Sequence, residues 1–237
     1  MRRAAAVLLG LALSGANSDS VVPAGDSGPT VGVPPLIPLS DLPSATPEQK
    51  IRWRDSEPVG LPYAGRLKRG VQLPAEGDTY FTWDPIRKTT PNRGWRRWGT
   101  DRLIRITLRI ARRYAREHAG APRLTVGDLS RPRGGDFGPQ YGSIGHASHQ
   151  NGLDVDIYYP RRDRKERAPA TPRQVDLRLS QKLVDMFVAA GAEKVFVGPS
   201  LDLRGPRRVV APLVHHDNHI HVRLPGQRTP GRATPVS

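Results

Sequence analysis

The chain has 237 residues, the length of one ordinary domain with tails. Its 37 basic residues exceed its 22 acidic ones, and the net charge of +15 favours anionic partners such as nucleic acid, anionic lipid or an acidic wall polymer. There is no cysteine, which excludes disulfides, thiolate metal sites and cysteine nucleophiles, so any metal must be held by His, Asp and Glu.

Arg2 and Arg3 precede an apolar run from Ala4 to Leu13, and Ser14, Gly15 and Ala16 offer small residues for cleavage. This pattern predicts a secretory signal peptide over residues 1–16 and a periplasmic or secreted protein; an uncleaved anchor is the alternative. No later stretch is apolar enough to span a bilayer, so no stable membrane insertion is expected after cleavage. Residues 17–62 carry nine prolines among many Ser, Gly and Asp. Such a stretch has little apolar surface to offset its ordering entropy and reads as an extended linker, with Trp53 and Leu61 tacking its end onto the domain.

The folded domain is expected over 63–226, followed by a disordered tail over 227–237. Val71–Leu73 and Tyr80–Trp83 are short strand or loop candidates. Thr100 suits a helix N-cap, Asp101 its first turn, and Leu103, Ile106, Ile110 and Tyr114 recur at helical spacing. Arg102, Arg105, Arg109, Arg112 and Arg116 fall on the opposite face, and Gly120 and Pro122 end the helix. That arginine face reads either as a solvated surface or as a polyanion contact. Nucleic acid is not expected as a partner, given the export signal and the few aromatics beside the arginines. Strands are predicted at Arg123–Asp128, Leu153–Tyr159, Lys194–Gly198 and His219–Leu224, with a weaker candidate at Val209–Leu213. A second helix is predicted from Leu179 to Ala190, with Leu183 and Phe187 inward and Gly191 as its C-cap. Residues 131–143 and 160–174 read as loops. Two helices against strands of mixed order predict a single α+β domain, with a small, mostly antiparallel central sheet flanked by helices.

Six of the seven histidines fall in two groups, His146 with His149, then His215, His216, His219 and His221. On the predicted strand after Gly152, Asp154 and Asp156 share one face, with Val155 and Ile157 on the other. Buried carboxylates are costly unless paired or bound to metal, so this face calls for a cation. His219 and His221 likewise share a face, backed by Ile220 and Val222. If the two strands lie side by side, His149, Asp156 and His221 supply two imidazoles and a carboxylate and leave a fourth position for water, the catalytic pattern for zinc. His216 and His219 remain free to hold a water, a substrate oxygen or a proton. Asp154 could orient a ligand histidine, and His146 reads as a residue that supports a ligand from behind or lines the site. Arg131 and Arg133 could hold substrate carboxylates, or could belong to a solvated loop.

Together these residues resemble the metal motif of the LAS-type metallopeptidases, and more closely that of the penicillin-insensitive murein endopeptidases. The resemblance is carried by Gly127-Asp128-Leu129-Ser130, Arg133-Gly134-Gly135, Gly145-His146-Ala147-Ser148-His149-Gln150, Gly152-Leu153-Asp154-Val155-Asp156, His216 and His219-Ile220-His221-Val222-Arg223. It covers roughly residues 95–225 and implies that His149, Asp156 and His221 bind Zn2+ while His219 and His216 serve the chemistry. It further implies hydrolysis of a peptide cross-link in peptidoglycan, of the D-Ala–diaminopimelate kind. His146 is implied as a ligand of a second metal or a residue lining the site. The chain departs from the family in its lack of cysteine, and no His lies between His149 and His215 to complete a second metal site. A non-catalytic zinc-containing wall-binding module and a zinc amidase are the competing readings.

Overall fold

The computed structural model describes residues 46–138 and 146–226. The predicted signal peptide, the predicted linker as far as residue 45, Gly145 and the predicted tail over 227–237 lie outside the described residues. Strands β1 (Glu57–Leu61) and β2 (Ala64–Lys68) pair as an antiparallel hairpin. The sequence reading assigns residues 46–62 to the linker; here they are part of the fold. Ile51 is buried, the Arg105 guanidinium stacks 3.9 Å over the Trp53 ring, and the Ser56 hydroxyl accepts from the Asp101 amide at 3.0 Å. These few anchors and the backbone pairing of the hairpin supply what the composition lacks.

Short strands β3 (Val71–Gln72), β4 (Glu76–Gly77), β5 (Tyr80–Thr82) and β6 (Trp98–Gly99) lead into helix α1 (Asp101–Glu117). As predicted, Thr100 caps α1, its side chain accepting from the Leu103 amide at 3.2 Å. Strands β7 (Leu124–Val126) and β8 (Asp154–Tyr158) follow, then helix α2 (Leu177–Ala189). Helix α2 starts two residues before its predicted first residue, because the Asp176 carboxylate accepts from the Leu179 amide at 3.0 Å and so sets the N-cap. Strands β9 (Lys194–Val197), β10 (Val210–Pro212) and β11 (His219–Arg223) complete the chain order.

Seven strands form the main sheet in the order β10-β9-β11-β8-β7-β5-β4. The β10-β9 and β5-β7 pairs are parallel and the others antiparallel, so the predicted α+β fold with a mostly antiparallel sheet is observed. Val155, Ile157, Ile220 and Val222, all fully buried, join Leu103, Ile104 and Ile110 of α1 and Leu183, Val184 and Phe187 of α2 in one apolar core. Each such side chain contributes about 1.5–3 kcal/mol of hydrophobic stabilisation. Alternation then dictates what the opposite face of β8 and β11 carries: Asp154, Asp156, His219, His221 and Arg223. All five residues of β8 are buried, the two carboxylates included.

Candidate metal centre

The antiparallel register sets His221 opposite Asp156 and Arg223 opposite Asp154. The third residue arrives on the loop before β8. His149 takes a left-handed backbone, φ +66°, and Gly152 turns the chain into the strand at φ +77°. At that φ any L side chain is strained, and a Cβ on Gly152 would also crowd Leu67 Cδ1 at 2.8 Å, so this turn favours the predicted glycine.

His149 Nε2 lies 3.3 Å from Asp156 Oδ1, His221 Nδ1 lies 3.2 Å from the same oxygen, and the two nitrogens are 3.2 Å apart. Ligands about 2.0–2.1 Å from a tetrahedral zinc stand about 3.3–3.4 Å from one another, so this triangle has the dimensions of a three-ligand face. Asp156 Oδ1 is buried and makes no hydrogen bond among the described residues. The far side of each imidazole fixes its tautomer. His149 Nδ1 donates to the Leu129 carbonyl at 2.8 Å, and His221 Nε2 donates to Asp154 Oδ1 at 2.8 Å. Neither oxygen can donate to a ring nitrogen, so each imidazole has its other nitrogen turned to Asp156.

The electrostatics follow from burial and from these partners. Burial opposes charge on His221, yet the hydrogen bond to Asp154 and the adjacent Asp156 carboxylate outweigh it and push the pKa up to about 9. Burial dominates at His149 and lowers its pKa despite the nearby Asp156 carboxylate. Burial alone would raise the pKa of Asp156, but the surrounding imidazoles hold it well below the usual carboxylate value. Asp154 accepts a second hydrogen bond from Arg223 Nε at 2.8 Å.

His146 sits beside the triangle. Its Nε2 lies 2.7 Å from Asp128 Oδ2 and 3.8 Å from Asp156 Oδ2, and its ring is 4.3 Å from that of His149. His146, His149 and Asp156 also form a group with ligand atoms within 4.8 Å of one another that could hold a metal ion. The triangle with His221 is the tighter set, because the nearest carboxylate to His146 is Asp128. Burial works against ionisation of Asp128, but hydrogen bonds from Arg96 and His146 bring its pKa down to about 2. Asp128 also accepts from Asn92 Nδ2 at 2.9 Å, and Arg96 is fully buried. Asp128, Arg96 and Asn92 are site residues that no pattern of spacing announces. Only the Gly127-Asp128-Leu129-Ser130 motif could have pointed to Asp128, and Arg96 is one basic residue among 37.

His219 Nδ1 donates to Asn218 Oδ1 at 2.7 Å, and its Nε2 faces Asp156 Oδ1 at 3.7 Å. Burial lowers its pKa to about 4. His216 Nδ1 donates to the Val214 carbonyl at 2.8 Å, with its ring 4.7 Å from that of His219. Two cavities meet on this cluster, and His146, His215 and His219 line both. One, about 570 Å³, runs toward Lys88, Tyr158 and Arg167; the other, about 420 Å³, runs toward Tyr63, Phe196, Leu213 and Val214. Arg131 and Arg133 line neither. Arg131 donates to the Asp136 carbonyl at 2.7 Å, and Arg133 lines a separate groove beside the hairpin.

This α+β fold gathers histidines and carboxylates on one polar sheet face, at the junction of two cavities, in a group that could hold a metal ion. The chain belongs to the penicillin-insensitive murein endopeptidase family, whose profile matches residues 58–196. That match takes in His149 and Asp156 and ends before His216, His219 and His221. The chain is 29% identical to the penicillin-insensitive murein endopeptidase of Yersinia enterocolitica over 226 residues, 81% of this chain and 76% of the relative. It is 27% identical to the protein of that name from Salmonella heidelberg over 210 residues, 76% of this chain and 72% of the relative. No helix of the described residues is long and apolar enough to cross a membrane.

Proposed function

We propose that this chain is a zinc metalloendopeptidase of the periplasm or cell exterior that hydrolyses peptide cross-links in peptidoglycan, of the D-Ala–diaminopimelate kind. The observation that carries this reading is the triangle of His149, Asp156 and His221, with one orphaned carboxylate oxygen and both imidazoles locked from behind. These three residues hold the metal. When bound, zinc supplies a Lewis acid that polarises a carbonyl and brings the pKa of water toward about 7. The names of the relatives support murein as the substrate.

The chain's own residues do the rest. His219 is neutral near neutral pH, and its Nδ1 proton is committed to Asn218, so Nε2 is a bare base facing the site. It takes the proton of the attacking water and returns it to the leaving amine. His216, stacked beside it, is the second acid/base group. His146 lines the site and is held by Asp128. Asp154 fixes His221 from behind. A fully liganded, non-catalytic zinc module would need a fourth protein ligand such as His146, whose Nε2 is held by Asp128, or His216.

Zinc-loaded protein incubated with purified cross-linked muropeptide dimers tests the proposal. Mass analysis should show monomers released at the cross-link. Intact dimers would point to a binding module, and release of peptide from sugar would point to an amidase.

A further inference from the structure

A large groove lies away from the histidines. It measures about 1100 Å³ and is lined by Arg54, Arg66, Lys68, Arg69, Arg133 and Trp98, among others, with no acidic residue on its walls. All five cationic side chains belong to exposed residues. Lys68 and Arg69 share Glu57 at 3.2 and 3.8 Å, whereas Arg54, Arg66 and Arg133 make no ion pair among the described residues. On α1, Arg105, Arg112 and Arg113 are paired with Asp101, Glu48 and Glu117, while Arg102, Arg109 and Arg116 make no ion pair among the described residues and are spread along the helix surface. In the groove five cations converge on one concave surface whose walls carry no acidic residue, and there they focus the field on anions.

The groove is tied to the catalytic cleft by shared structure. The turn of the β1-β2 hairpin is the common wall: Gly60, Ala64 and Gly65 line the groove, while Tyr63 lines the cleft. Gln150, which follows His149 in the chain, lines the groove too; its amide donates to the Pro62 carbonyl at 2.9 Å and its side-chain oxygen accepts from the Gly65 amide at 3.3 Å. A polymer threading the cleft past Tyr63 would continue along this wall. We infer that the groove is an exosite that binds carboxylate-bearing stem peptides of the peptidoglycan network remote from the cross-link being cut. This rests on the proposed peptidoglycan substrate. Guanidinium groups bind carboxylates as planar forks, and three free ones in a groove supply affinity for a strand that carries many such groups.

Co-sedimentation of the full chain with purified sacculi tests the exosite, with wild type compared to the double variant R54E/R66E. Both positions are exposed and lie outside the histidine cluster, so the fold is preserved, which a thermal melt verifies. The variant should bind sacculi about tenfold more weakly at low salt. Wild-type binding should fall to the same level when wall carboxylates are blocked as methylamides, and removal of wall phosphate with hydrofluoric acid should leave it unchanged. Cleavage of soluble muropeptide dimers by the variant should stay within about twofold of wild type, because remote contacts to a polymer are absent there. Sacculus binding that survives the double substitution overturns the exosite. So does binding that follows wall phosphate or phosphatidylglycerol vesicles rather than carboxylates. Failure of wild type to cut any muropeptide would refute the proposed enzyme instead, while the sedimentation arms still decide the groove.

Discussion

Replacing Asp154 should weaken zinc binding without touching a proposed zinc ligand. Asp154 is fully buried, and its Oδ1 accepts from both His221 Nε2 and Arg223 Nε at 2.8 Å. The first hydrogen bond keeps the proton on Nε2 and leaves Nδ1 to face Asp156. In Asp154→Ala the imidazole loses that restraint, can move its proton to Nδ1, and no longer gains basicity from a carboxylate behind it. Loss of such a partner typically costs 10–100-fold in metal affinity, or about 1.4–2.7 kcal/mol. Asp154→Asn separates the two effects. Its amide oxygen can still accept from His221 Nε2, so geometry is kept while the charge is lost, and the decrease should fall nearer the tenfold end. Competition for zinc against a chromophoric chelator reads both variants directly, and His149→Ala serves as the reference for loss of a ligand. Zinc affinity within about threefold of wild type in Asp154→Ala would show that His221 is not positioned in this way.

Three other outcomes follow from the same geometry. His221→Ala should abolish both stoichiometric zinc binding and muropeptide cleavage, measured by metal analysis and chromatography; cleavage that survives would sink the ligand assignment. The pKa of about 9 at His221 means that zinc must displace a proton from it at neutral pH. Apparent zinc affinity should therefore rise about tenfold per pH unit between about pH 7 and 9, and it should be lost as the pH falls; a flat profile in metal-buffered titrations contradicts this. Arg96→Ala strands the buried Asp128 carboxylate, to which Arg96 Nε donates at 2.6 Å. The loss should be about 3–5 kcal/mol in urea unfolding of the metal-free protein, and a loss below about 1 kcal/mol would mean that Asp128 has other compensation.

What the sequence disclosed depended on how local the physics is. The Asp154-Val155-Asp156-Ile157 and His219-Ile220-His221-Val222 segments announce their faces by alternation, because strand side chains point to opposite sides at every step. The register that puts His221 opposite Asp156 is non-local and emerges only from the paired strands. The β1-β2 hairpin was hidden because Pro58 and Pro62 read as linker, and its mostly exposed positions carry no apolar alternation. It is held by backbone pairing and by contacts such as Gln150 with Pro62 and Gly65, none of which leaves a pattern in composition. The Arg96–Asp128 pair joins residues from different parts of the chain and was invisible for the same reason.

The buried charges also indicate where a cation belongs. Asp128, Asp154 and Asp156 are all buried on or beside one sheet face. Arg96 neutralises Asp128, and Arg223 bonds to Asp154. Asp156 alone has no guanidinium; imidazoles surround it, and its Oδ1 forms no hydrogen bond among the described residues. A lone buried carboxylate is unfavourable unless a cation or a proton joins it. In the metal-free protein the proton on His221, favoured first by the hydrogen bond to Asp154 and then by Asp156, serves that purpose although burial opposes it. A dication at the same point would neutralise Asp156 more fully and release that proton. The uncompensated Asp156 carboxylate thus adds to the effect of Asp154 on the His221 pKa, and it is also the charge that suits the site to a dication.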